Sequence, residues 1–139
     1  MRARVALALA LALAAPPARA ERRFALVAGE PDGGDGAARL RWAERDARRI
    51  HAILTGLGGV RPDDARLLLS AGAGAFRRAL AELEDAARAA RAGGERTLLL
   101  VYYSGHARDG ALRLGSGRVA IDELRADLER APAAVRIRL

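Results

Sequence analysis

Chemistry is most concentrated in the segment Tyr102-Tyr103-Ser104-Gly105-His106. An imidazole titrates near neutral pH and can take or give a proton during a reaction. His106 follows Thr97-Leu98-Leu99-Leu100-Val101, an apolar run of the kind that forms a strand buried on both faces. A side chain delivered by the end of such a strand stands at the rim where open α/β sheets keep their active sites. The usual partner of such a histidine in covalent catalysis would be a cysteine, and the 139 residues contain none. The other reading of His106 is a turn residue that only ends the strand. Residue type alone leaves both open.

Ser104 lies two positions before His106, so on a strand the two side chains point the same way. That permits a serine nucleophile, as in an α/β hydrolase, but no Gly-x-Ser-x-Gly elbow surrounds it. A hydroxyl on a pocket wall is the simpler role. Asp46, within Trp42-Ala43-Glu44-Arg45-Asp46-Ala47, lies at the edge of a helical apolar stripe. It could face the carboxyl end of a sheet and meet a basic substrate side chain. It could equally form a surface ion pair with Arg39, Arg45 or Arg49, an interaction of small energetic weight.

No cofactor is called for. Gly29, Gly33, Gly34 and Gly36 match neither the dinucleotide fingerprint nor the phosphate loop, and there is no Lys to complete a phosphate cradle. His51 and His106 are far apart in a chain without Cys, so no metal site is expected. Asp32 and Asp35 would hold a cation only weakly, and a solvated loop accounts for them.

The elements that must position these residues alternate along the chain. Phe24–Ala28, ended by Gly29, reads as a first strand. Glu30 to Arg39 is a loop. Ala43, Ala47, Ile50, Leu54 and Leu57 recur at spacings of four and three, which predicts a helix over Trp42–Leu57 closed by Gly58-Gly59. Pro62 opens a turn, and Ala65–Leu69 is a short strand. Phe76, Leu80, Leu83, Ala87 and Ala90 repeat the helical spacing up to Gly93-Gly94. Thr97–Tyr103 is the third strand. Ala111–Leu114 and Arg118–Ala120 flank Gly115-Ser116-Gly117 as a hairpin. Ile121, Leu124 and Leu128 mark a third helix, and Ala133–Leu139 begins a fourth strand. This order predicts an α/β fold with a mostly parallel sheet flanked by helices. Its crevice should lie at the carboxyl ends of strands one and three.

Residues 1–20 read as a secretory signal peptide. Arg2 and Arg4 precede the apolar run Val5–Ala15, Pro16-Pro17 breaks it, and Ala18-Arg19-Ala20 is a small-x-small cleavage site. The run is too short to span a bilayer. Residues 21–139 are then one small domain, exported to the periplasm or the outside, with no membrane span. The net charge is +7. Arg2, Arg4 and Arg19 carry three of those charges, so residues 21–139 retain +4. Every basic side chain is Arg, and these are spread among acids with few aromatics between them, which argues against nucleic acid as a partner. The sequence sets no oligomeric state.

Three segments in their order resemble the N-terminal part of the caspase-like cysteine peptidases, closest to the bacterial metacaspase type. Phe24–Gly29 looks like that family's opening strand. Leu40 to Ala47, running on to Leu54, is similar to its first-helix pattern with an Asp-Ala pair. Tyr102–His106 resembles its catalytic-histidine motif, although Ala107 stands where Gly is usual. The resemblance covers Arg23 to Leu139. It implies a caspase-like sheet, here ending after about the fourth strand, and a cysteine endopeptidase acting on a peptide or protein substrate. His106 would be the base, and the Gly105 N–H would help bind the oxyanion. Asp46 and Ser104 would line a pocket for Arg or Lys. In the family the Cys follows the next strand in an Asp-x-Cys-x-Ser-Gly segment, so the expectation is an incomplete peptidase domain, inactive alone. A caspase-like module that binds without cutting, and a serine hydrolase using Ser104, are the alternatives.

Overall fold

A computed structural model describes residues 21–34, 36–131 and 134–138 of the chain, the last five by backbone only. The proposed signal peptide, residues 1–20, and Asp35 lie outside them. Strands β1 (Glu21–Glu30), β2 (Val60–Leu69), β3 (Arg96–Gly105) and β7 (Ala134–Arg138) form a parallel sheet in the order β2-β1-β3-β7. Helices α1 (Ala43–Gly56) and α2 (Gly72–Ala92) make the crossovers within β1-β2 and β2-β3. Between β3 and α3 (Ile121–Arg130) lies a small antiparallel sheet of β4 (Ala107–Arg108), β5 (Ala111–Leu114) and β6 (Gly117–Ala120). The α/β architecture with a helix-flanked parallel sheet is as the sequence predicts.

Alternation along β1 and β3 splits the core in two. Phe24, Leu26 and Ala28 join Leu99, Val101 and Tyr103 on one face, where Phe76, Leu80, Leu83, Leu124 and Leu128 of α2 and α3 cover them. Ala25 and Val27 face the other way, against Ala47, with Leu100 and Tyr102 partly buried beside them. Among the described residues the first face carries two helices and the hairpin layer, and the second only α1. This is why β3 is fully buried on one side and half-buried on the other. Each large side chain removed from water in the thicker layer contributes roughly 1.5–3 kcal/mol.

Several boundaries differ from the sequence reading. β2 begins at Val60, so Pro62 lies inside a strand and not at a turn. β2 is an edge strand, and its pairing with β1 is irregular between Val60 and Ala65, which is where a residue without an N–H is tolerated. α2 starts at Gly72, four residues before its first apolar stripe residue. Leu57, assigned to the α1 stripe, is 88% exposed because the helix has already ended at Gly56. The predicted hairpin is present and gains β4 as a third strand against β5.

The edge of the sheet is fastened by charge. Asp64 is buried on β2 and accepts two hydrogen bonds from Arg22 of β1, each 2.8 Å. That bidentate pair holds the guanidinium pKa above its ordinary value.

Candidate functional site

β3 has paired neighbours on both sides, β1 and β7, so it is an inner strand, and His106 leaves it at the carboxyl rim. Two sets of contacts fix this residue. Its backbone carbonyl accepts the Arg113 N–H at 2.8 Å, and the Tyr103 hydroxyl lies 3.0 Å from the same oxygen. The hydroxyl also bonds the Arg113 carbonyl, so β5 and the end of β3 are tied through one phenol. Burial pushes the Tyr103 pKa up to about 12, with the nearby Glu30 carboxylate adding to the effect. Tyr103 therefore stays protonated and remains a donor.

The ring itself is held from the loop between β1 and α1. His106 Nε2 lies 2.9 Å from the Ala38 carbonyl oxygen. A carbonyl only accepts, so Nε2 carries the proton in this bond. In the neutral imidazole the lone pair is then on Nδ1. Gly33 packs on the ring: a Cβ there would lie 2.5 Å from Cδ2 and 2.6 Å from Cγ. The result is a half-buried imidazole with a fixed tautomer and Nδ1 as its basic atom.

Of the other candidates, Gly105 and Ser104 precede His106 at the end of β3, and Asp46 lies on α1. Gly105 is paired with Glu30 across β1 and β3, and a Cβ at this position would strike the Tyr103 hydroxyl at 2.2 Å and the Glu30 carbonyl oxygen at 2.8 Å. Only glycine fits there. Ser104 is half-buried opposite Gly29, and among the described residues no hydrogen bond joins it to His106. Asp46 lies in the first turn of α1, where its N–H bonds the Trp42 carbonyl. Its carboxylate is 41% exposed and 3.9 Å from the Arg45 Nε, which is the ion-pair arrangement. The helix start that carries Asp46 meets β1 closely: a Cβ on Gly29 would lie 2.7 Å from the Ala43 carbonyl oxygen.

A hollow of about 290 Å³ opens beside this helix start, lined by Pro31, Arg39, Leu40, Arg41 and Glu44. Glu44, not Asp46, faces it, and Glu44 accepts a 2.6 Å hydrogen bond from the Ser70 hydroxyl. Trp42 is half exposed, with the Arg45 guanidinium 3.9 Å and the Arg41 guanidinium 5.1 Å from its ring centre. Among the described residues no group of three or more His, Cys, Asp or Glu could hold a metal ion, and no helix is long and apolar enough to cross a membrane.

The position of His106 after an inner strand is as the sequence predicts, whereas the groups that orient its ring left no mark in the sequence. The Ala38 carbonyl has no sequence signal, since any residue type carries one. Gly33 was legible only as one of several loop glycines. No family model and no curated protein sequence matches this chain.

Proposed function

We propose that the chain is the N-terminal part of an exported caspase-like cysteine endopeptidase with a preference for basic residues. The observation that carries this reading is the imidazole of His106: placed at the end of an inner strand, bonded through Nε2 to a backbone carbonyl, and basic at Nδ1. A group so held can take the proton of a thiol and return it to the leaving amine. The reading requires a thiolate from outside the 139 residues, because they hold no Cys. β7 supplies a route. It runs parallel to β3 with Arg138 opposite Tyr102, so a chain following it would rise beside Ser104 and His106.

In this reading the Gly105 N–H assists at the oxyanion, while Asp46 and Ser104 contribute to the pocket for an Arg or Lys side chain. The exposure of the Asp46 carboxylate fits that role, and its pairing with Arg45 is weak enough to exchange for a substrate cation. Without the nucleophile nearly all rate is lost, so residues 1–139 alone should not hydrolyse peptides.

The test begins with the coding DNA beyond Leu139. A continuation encoding Asp-x-Cys-x-Ser-Gly, expressed with this chain, should cleave fluorogenic Arg or Lys peptides, and His106→Ala should abolish cleavage. Asp46→Ala should raise KM for Arg substrates. Absence of any such Cys, with peptide binding retained, would replace the peptidase by a binding module. Labelling of Ser104 by a fluorophosphonate probe would replace it by a serine hydrolase.

A further inference from the structure

The hollow beside the start of α1 has a neighbour at the carboxyl rim. A cavity of about 460 Å³ lies between the end of β1, the start of α2 and the β5–β6 turn. Its lining includes Glu30, Asp32, Arg39, Gly72, Gly74 and Ser116, and His106 is not among the lining residues. None of the sequence motifs accounts for it.

Two opposed poles meet there. Glu30 is 3% exposed, yet among the described residues its carboxylate takes one hydrogen bond only, at 3.3 Å from the Asp32 N–H to Oε1. A carboxylate so buried is costly unless a cation or further donors reach it. No ion pair to Glu30 occurs among the described residues, and Glu30 is one of the residues that line the cavity. The positive pole is the start of α2. Its N-cap is Ala71, which offers no side-chain acceptor, so the first-turn N–H groups have no side-chain cap, and Gly72, Ala73 and Gly74 line the cavity. Arg39 stands exposed on the rim. Small residues keep these groups within reach: a Cβ on Gly72 would meet nothing closer than the Leu114 carbonyl oxygen at 4.0 Å, and Gly117 packs directly on Ala73.

We propose that this cavity binds a small zwitterion of the α-amino-acid class. The ammonium donates to Glu30 and, nearer solvent, to Asp32. The carboxylate accepts from the first-turn N–H groups of α2 and from Arg39. A simple anion would leave Glu30 without a counter-charge, and a simple amine would leave the helix start and Arg39 unanswered. The assignment is independent of the peptidase reading.

The test is titration of the 139-residue chain, followed by 1H–15N NMR, with L-alanine, L-leucine and L-arginine, and with propionate and ethylamine as probes lacking one pole each. At least one amino acid should shift Gly72–Gly74 and Gly115–Gly117 resonances saturably, with propionate and ethylamine at least tenfold weaker. Glu30→Gln and the exposed Arg39→Ala should each weaken amino-acid binding about tenfold or more, with circular dichroism confirming the fold. Propionate binding as strong as any amino acid, binding indifferent to both substitutions, or no saturable shift with any of the three amino acids would overturn the proposal.

Discussion

Gly33 and Gly105 both lie against the segment that carries His106, and replacing each by Ala should destabilise the fold to clearly different extents. At Gly33 the added Cβ would sit 2.5 Å from His106 Cδ2 and 2.6 Å from Cγ. Comfortable carbon contacts begin near 3.5 Å, so the ring must withdraw by about 1 Å. That movement stretches the 2.9 Å bond from Nε2 to the Ala38 carbonyl beyond hydrogen-bonding distance. The loss is about 1 kcal/mol, because a half-buried ring can turn to solvent and water can replace the carbonyl. At Gly105 the neighbours are the Tyr103 ring, buried in the core, and the Glu30 backbone carbonyl. Neither can swing away, so Gly105→Ala should cost about 3 kcal/mol, the upper part of the overpacking range. Urea unfolding measures both costs, and the 15N shifts of the His106 ring report its position. Unchanged ring shifts in Gly33→Ala, or a destabilisation as large as that of Gly105→Ala, would refute this contrast.

Asp64→Asn should destabilise the fold by about 2 kcal/mol in urea unfolding, since it weakens a buried bidentate pair while Arg22 can partly rehydrate. An unchanged midpoint would show that the β1–β2 edge does not depend on it. Glu84 of α2 has a buried Oε1 without a hydrogen-bond partner among the described residues, and its pKa is raised, first by burial and then by Asp127 of α3 and Asp85, against the lowering effect of Arg88 and Arg130. The native state thus holds this proton more tightly than the unfolded chain, so the contribution is intact below the usual carboxylate range and falls as pH rises through the raised value. Glu84→Gln should match the parent near pH 4 and unfold at higher urea near pH 7, and parallel pH profiles would contradict this.

The strands and helices were legible where apolar spacing is regular, as in Phe24–Ala28, Thr97–Tyr103 and the stripe from Phe76 to Ala90. Their ends were not, because pairing decides them. Val60 starts β2 by pairing with Arg23, ahead of an irregular stretch that holds Pro62, and Gly72 to Ala75 is wound into α2 without any apolar stripe residue. Leu57 read as core by its spacing, and the end of α1 at Gly56 leaves it outside. At the site, His106 could be found from its strand, whereas its orientation depends on a carbonyl 68 residues away and on a missing Cβ at Gly33. Glu30 gave no signal at all. Its burial follows from the alternation of β1, which carries it onto the same face as Ala28, and from the start of α2 closing over that face.

The tautomer of one ring decides most about the account. Long-range 1H–15N correlation of His106 at a pH where the imidazole is neutral should show the proton on Nε2 and a lone pair on Nδ1, with the Nε2–H signal slowed in exchange by its bond to Ala38. A neutral ring protonated at Nδ1, or one averaging freely between both forms, would mean that the loop before α1 does not hold His106 ready to act as a base.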